Sequence, residues 1–240
     1  MAKSIRQKLT LTTLALYWPV LFILAHIPIP RLLRQAHVSD KNLHFMAYLI
    51  LIFLAWFSIR PDKKVNWRKA AVWWVLAVMV GYGILDELLQ GYVGRSCDLR
   101  DLLADIEGIM AGLLLFTLLT FWPALLMVTG IAIFLLTNLA KVNPADLLPV
   151  ATPVFYFFAY AFLTIVWIQC KQLTVDKLKD FVTTLALPSA FLLVVKGFTI
   201  ILNRNFALYE MTISAAGILV VTIIYRICRP KQKNPDKPPM

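Results

Sequence analysis

The sequence predicts an all-α, polytopic membrane protein. Hydrophobic residues make up 60% of its 240 residues, charged residues make up only 15%, and the mean hydropathy is +0.74. The apolar residues occur in runs of roughly 17 to 24, which is the length that an α-helix needs to cross a bilayer. We therefore expect about eight transmembrane helices, arranged as two four-helix halves.

Eight apolar runs follow one another along the chain. They cover residues 9–25, 43–59, 70–89, 102–121, 124–139, 150–170, 181–202 and 206–228. The first run is too long for the core of a signal peptide, and no Ala-x-Ala cleavage site follows it, so we expect it to remain as a span. Only the corner at Trp122 and Pro123 separates the fourth run from the fifth.

The distribution of positive charge predicts the orientation. Sixteen of the 24 Lys and Arg residues lie in the N-terminal segment, the second and sixth loops and the C-terminal tail, and seven lie in the other loops. The positive-inside rule then places both termini in the cytoplasm, as expected for a multi-pass protein of the bacterial cytoplasmic membrane. The net charge of +11 reflects this bias and an attraction to anionic lipids, so nucleic acid is not an expected partner.

The chain divides by composition into three parts. We predict a four-helix domain over residues 1–122, a second four-helix domain over 123–229, and a disordered cytoplasmic tail over 230–240, which is rich in proline and charge. The three cysteines are too few for a disulfide framework.

The two halves resemble each other. An ungapped shift of 109 positions places Arg95 on Arg204, Asp101 on Glu210, and Gly108 on Gly217. We interpret this as a degenerate repeat, which would be parallel because each half has an even number of helices. Most polar residues have no counterpart in the second half, since the same shift places His44 on Pro153, Asp86 on Val195, and Glu87 on Lys196.

Two stretches of the first half, 39–48 and 83–108, carry the unusual polar residues. Six of the thirteen carboxylates lie between residues 83 and 108. The predicted topology places both stretches at extracytoplasmic helix ends, where they can meet. The candidate binding residues are Asp40, Lys41, His44, Tyr48, Asp86, Glu87, Gln90, Arg95, Asp98, Asp101 and Asp105.

Helical spacing groups these residues into faces. Three faces follow from separations of three or four: Asp40, His44 and Tyr48; Asp86 and Gln90; and Asp101, Asp105, Gly108 and Gly112. The small-xxx-small pair of the last face is typical of helices that approach each other closely. This face would carry its two carboxylates into the packed interior.

Charge within a membrane is costly unless it is paired. We therefore expect Asp86, Glu87, Arg95 and Asp101 to converge with Lys41 or His44 in one polar pocket, lined by the second, third and fourth spans. A deeper acid, Asp105 or Glu107, should then hold a proton or a cation. In the second half, Lys196 and Glu210 lie at equal depth and should form a buried pair.

The polar pattern also resembles a known family. The residues that carry this resemblance are Asp40, Lys41, His44, Phe45, Tyr48, Asp86, Glu87, Gln90, Gly94, Arg95, Asp98, Asp101, Gly108 and Gly112. Over residues 9–120 they are similar to the VanZ-like family, whose pattern usually has Asn where this chain has Asp105. The resemblance implies a link to glycopeptide (teicoplanin) resistance and the cell envelope, without an assigned reaction.

Several functions are compatible with these residues. The first is binding of an amphiphile or an envelope lipid headgroup, with Arg95, Lys41 and His44 meeting an anionic group. The second is an enzyme acting on such a lipid, with His44 as general base or a divalent cation held by Asp86, Glu87 and Asp101. Structural ion pairs without a ligand and ion-coupled transport are further alternatives.

No catalytic signature is present in the sequence. The chain contains no HExxH, P-loop, GxSxG or Cys/His metal-binding spacing. The sequence therefore assigns no catalytic residue, metal ligand or cofactor, and it leaves the oligomeric state open. Membrane lipids and lipid-linked envelope molecules are the expected partners.

Overall fold

A computed structural model describes residues 5–26, 40–93, 97–138, 151–171, 178–203 and 206–228. Within these ranges the chain forms helices joined by loops, and no strand occurs among the described residues. The helices are α1 Ile5–His26, α2 Asp40–Ile59, α3 Ala70–Tyr92, α4 Leu99–Leu118, α5 Phe121–Asn138, α6 Ala151–Lys171, α7 Leu178–Ile201 and α8 Leu208–Cys228. All of these helices except α4, which carries several charged residues in its first turns, are long and apolar enough to cross a membrane. The predicted all-α polytopic fold is confirmed.

The helices form two compact units. The first unit covers 1–147 and contains α1 to α5, and the second covers 148–240 and contains α6 to α8. The predicted boundary after residue 122 concerns the halves of the repeat and stays a prediction. The predicted tail, 230–240, lies outside the described residues.

Helix α2 is the centre of the first unit. Its sequence is apolar around its whole circumference, so it needs neighbours on every side. It packs against α1, α3, α4 and α5, and each residue from 51 to 57 is at most 6% exposed. Toward the end of α2, an aromatic group from α2, α4 and α5 fills the core. This group contains Phe53, Phe57, Phe116 and Phe121.

Helices α4 and α2 cross with their backbones in close contact. A Cβ atom added to Gly108 would collide with the backbone carbonyl oxygen of Phe45, and one added to Gly112 would lie 2.5 Å from Cγ2 of Ile52. The two backbones can approach this closely because glycine has no Cβ atom. The small-residue pair predicted from the sequence therefore lies at a tight helix contact.

The second unit repeats this crossing between α8 and α6. A Cβ atom on Gly217 would meet the carbonyl oxygen of Phe157, in the way that one on Gly108 meets Phe45. Gly217 follows Gly108 by 109 residues, but Phe157 follows Phe45 by 112.

The shift between corresponding residues is therefore not constant along the chain. The loop between α6 and α7 is shorter than the loop between α2 and α3, which accounts for the change. The counterpart of His44 by packing is Tyr156, and the ungapped alignment to Pro153 was wrong.

Replacing Gly108 with Ala should destabilise the protein by about 1–3 kcal/mol, because the new methyl group must push the α2 backbone away. The matched control is Gly81→Ala in α3, where nothing lies within 4 Å of the added Cβ. That variant should be as stable as the wild type or slightly more stable, because Ala favours helix. Thermal unfolding of the purified proteins in detergent measures the stability of each variant. Equal stability of the two variants would contradict the close contact between α2 and α4.

Candidate functional site

Polar side chains of the first unit gather where α2 and α4 begin and α3 ends. The buried polar residues there are at most 9% exposed: His44, Tyr48, Asp86, Glu87, Gln90, Asp101 and Asp105. We call His44, Asp86, Glu87, Asp101 and Asp105 the acidic cluster. Ionisable groups within membrane helices are retained at a cost in stability, and they usually mark a binding or transport site.

His44 and Asp105 form the centre of the acidic cluster. The Nδ1 atom of His44 lies 2.9 Å from Oδ1 of Asp105, and Asp105 is fully buried. Gly83 of α3 faces this carboxylate, since a Cβ added there would lie 3.5 Å from Oδ2 of Asp105 and 3.5 Å from the ring of Tyr48. The Oδ2 atom has no hydrogen-bond partner among the residues that the structure describes.

Glu87 links the end of α3 to the start of α4. Its Oε1 accepts a hydrogen bond from the backbone N–H of Asp98 at 2.7 Å. The side chain of Asp98 in turn caps α4 by accepting from the backbone N–H of Arg100, as its position before the helix favours. The Oε2 atom of Glu87 is buried and, within the described part of the chain, has no hydrogen-bond partner.

His44, Glu87 and Asp105 come from three different helices and converge. One ligand atom from each residue lies within 4.8 Å of the other two, and all three side chains are buried. Imidazole nitrogen and carboxylate oxygen are donors that bind divalent metal ions. The sequence alone suggested a different set for a cation, namely Asp86, Glu87 and Asp101.

Asp86 is placed beside this group by its own partners. Its Oδ2 accepts a hydrogen bond from Nε2 of Gln90 at 3.1 Å, as their spacing on one helical face predicted. Its Oδ1 lies 3.9 Å from Nδ1 of His26, in the last turn of α1. The sequence did not point to His26, because it lies outside the two polar stretches, 39–48 and 83–108.

The acids of α4 divide between interior and surface. Asp101 is 6% exposed and lies on the interior side. Glu107 is exposed, so it is not one of the buried acids, and of the two deeper acids only Asp105 lies in the acidic cluster. The buried stripe of α4 follows positions 101, 105, 108 and 112, and position 107 is about 100° away from 108 around the helix.

One predicted site residue lies outside the acidic cluster, and for two others the structure describes no side chain. Lys41 is exposed in the first turn of α2. Asp40 begins α2, but its side chain lies outside the described residues, as does the whole of Arg95. The predicted packing of Arg95 over the acids stays a prediction.

The second unit contains a neutral counterpart of the acidic cluster. Nζ of Lys196 lies 2.5 Å from Oε2 of Glu210, and both residues are buried, which confirms the predicted pair. The ammonium also lies 4.4 Å from the centre of the Tyr156 ring, where the face of the ring attracts a cation.

Removing one partner of this pair should be costly, because the other charge is left buried. We expect Lys196→Met to lower the free energy of unfolding by about 3–5 kcal/mol, and the double variant Lys196→Met/Glu210→Gln to recover most of that loss. The control is Lys179→Met, at an exposed position of the same helix. Denaturant unfolding in detergent would contradict the pair if Lys196→Met behaved like the control.

Comparison with known proteins adds a family to this geometry. The family model described as VanZ/LLP1 matches residues 3–122, which is half of the chain and includes the entire acidic cluster. No curated protein and no solved structure matches the chain significantly. The chain belongs to the VanZ-like family.

Proposed function

We propose that this protein binds the polar headgroup of a membrane amphiphile, such as an envelope lipid or a lipid-linked molecule, at the acidic cluster. The observation that carries the proposal is the burial of five ionisable side chains from three helices in one place. Such a group is expensive to maintain in a membrane protein whose surroundings are apolar. A ligand that interacts with these side chains would offset that cost.

The side chains of the cluster define the headgroup that fits. Four carboxylates and one imidazole offer mainly hydrogen-bond acceptors, so they suit ammonium or hydroxyl groups. Lys41 is exposed three residues before His44 and suits a phosphate at the entrance. The described residues therefore favour a headgroup that carries an amine or hydroxyl group together with a phosphate, over a purely anionic headgroup.

Membership of the VanZ-like family supports a role in the cell envelope. We infer that amphiphile binding is the route by which such a protein would affect glycopeptide susceptibility, including resistance to teicoplanin. The family match covers the unit that holds the acidic cluster, and this supports the choice of that unit as the functional one.

The orientation in the membrane follows from charge. The loop between α2 and α3 lies at the opposite helix ends from the acidic cluster, and it lines a pocket with Arg60, Lys63, Lys64, Arg68 and Lys69. Positive loops are retained in the cytoplasm, where anionic lipid headgroups attract them. We therefore place the acidic cluster at the extracytoplasmic face of the cytoplasmic membrane and both termini inside the cell.

A second function is favoured by one contact. The 2.9 Å distance between His44 and Asp105 is that of a histidine oriented by a carboxylate, as in general-base catalysis. An enzyme that acts on the same amphiphile would use His44 to accept a proton. To distinguish catalysis from binding alone, labelled lipid is incubated with the protein and then separated by chromatography. Conversion of the lipid to a product would indicate an enzyme.

Photocrosslinking tests the binding function. A photoactivatable phosphatidylethanolamine should label the wild type at least about tenfold more than Glu87→Gln, because a hydrogen bond to a charged group contributes about 1.5–3 kcal/mol. Glu107→Gln, which changes an exposed acid outside the cluster, should label like the wild type. A diacylglycerol probe without the headgroup should label all three proteins equally. Equal labelling of Glu87→Gln and wild type by the headgroup probe would refute the proposal.

Cysteine labelling tests the orientation. In a background where Cys97, Cys170 and Cys228 are replaced by Ser, a membrane-impermeant maleimide applied to spheroplasts should label Asn143→Cys but not Lys64→Cys. Both positions should react after the membrane is permeabilised, which shows that each thiol is accessible. Labelling of position 64 in intact spheroplasts, with none at 143, would show the reverse orientation.

A further inference from the structure

We propose that His44, Glu87 and Asp105 bind one divalent cation, for which Zn²⁺ is the best match. This inference goes beyond the proposed function, because the cation site can be filled whether or not an amphiphile binds. The three residues lie on α2, α3 and α4, so a bound ion would connect the three helices that form the acidic cluster.

The separations between the three side chains suit a metal ion. Their ligand atoms lie within 4.8 Å of one another. Ligands about 2.0–2.1 Å from a tetrahedral Zn²⁺ are about 3.3 Å apart, so small side-chain rotations would complete the site. Nδ1 of His44 and Oδ1 of Asp105 are 2.9 Å apart in a hydrogen bond, so an ion bound through Nδ1 would displace the proton that this bond holds.

Two buried oxygen atoms point to a missing positive group. Oε2 of Glu87 and Oδ2 of Asp105 have no hydrogen-bond partner among the residues that the structure describes, although the two residues are 3% and 0% exposed. Leaving a carboxylate oxygen buried without a partner is unfavourable, more so than for a neutral group. A coordinated cation would satisfy both atoms, and it would balance the two negative charges of the carboxylates.

In the second unit, the positions that correspond to the three proposed ligands carry other residues. The packing of the two glycines places Tyr156 and Ser214 at the positions of His44 and Asp105, and the 109-residue shift in sequence places Lys196 at the position of Glu87, so all three donors are replaced. Glu210, the counterpart of Asp101, is kept and is paired with the Lys196 ammonium. A protein cation thus neutralises the buried acid in the second unit, and the first unit has an additional acid in its place.

The identity of the donors selects the kind of ion. An imidazole with two carboxylates suits Zn²⁺ and other transition metals, whereas Mg²⁺ and Ca²⁺ prefer ligands that are all oxygen. Glu87 is also positioned by a hydrogen bond from the backbone of Asp98 to its other oxygen, as metal-binding carboxylates commonly are. Three protein ligands leave a fourth position for water or for an oxygen atom of a ligand.

The test measures Zn²⁺ bound to the full-length, tag-free protein in detergent, after equilibration with Zn²⁺ and removal of excess metal. We expect about one Zn²⁺ per wild-type chain and per Glu107→Gln chain. The triple variant His44→Tyr/Glu87→Lys/Asp105→Ser copies the residues of the second unit, so it should fold with Lys at position 87 paired to Asp101. It should retain less than about a tenth of the wild-type metal.

A second measurement covers the case in which the triple variant fails to fold. Added Zn²⁺ should raise the thermal unfolding temperature of the wild type, because the ion binds the folded state, and EDTA should reverse the shift. The single variant Glu87→Gln should show a much smaller shift at the same Zn²⁺ concentration. Substoichiometric metal in the equilibrated wild type, or an undiminished shift in Glu87→Gln, would overturn the proposed site.

Discussion

The close contact between α2 and α4 at Gly108 is the constraint on which the acidic cluster depends. Because the backbone of α4 touches the carbonyl of Phe45, the side chains one turn toward the start of α4 face the start of α2. Asp105 precedes Gly108 by three residues and His44 directly precedes Phe45, so the crossing places them within hydrogen-bonding distance. A larger residue at position 108 would separate the helices and open this contact.

Each of the two units buries an acid, but the charge of the residue from the preceding helix differs between them. Both bury an acid near the start of the helix that carries the contact glycine, Asp101 in α4 and Glu210 in α8. In the second unit a lysine from the preceding helix neutralises that acid within the protein. The first unit has Glu87 at the position of this lysine. It therefore has a negative charge where the second unit has a positive one. Burial of like charges is unfavourable without a compensating group, and for this reason we propose the ligand site for the first unit.

The helices that hold the acidic cluster are largely apolar. Helix α2 is buried around its whole circumference from residue 51 to 57, and His44 is a buried residue near the start of this central helix. Helix α4 carries more charged residues than any other described helix, and they lie both on the side that faces α2 and α3 and on its exposed side. Rigid helices are better than loops at holding side chains in a fixed arrangement, as a binding site requires.

The sequence by itself determined which segments are helical and which face of α4 is buried. Runs of apolar residues and separations of three or four are local features, so the position of each helix to within about four residues, the stripe from Asp101 to Gly112 and the equal depth of Lys196 and Glu210 could all be predicted. Only the tertiary structure decided which faces meet. Periodicity orients a side chain around its own helix, but it does not state which helix lies opposite or at what height. The contact between His44 and Asp105, which are 61 residues apart, the approach of His26 to Asp86, and the match of His44 to Tyr156 therefore depend on helix crossings that no single segment encodes.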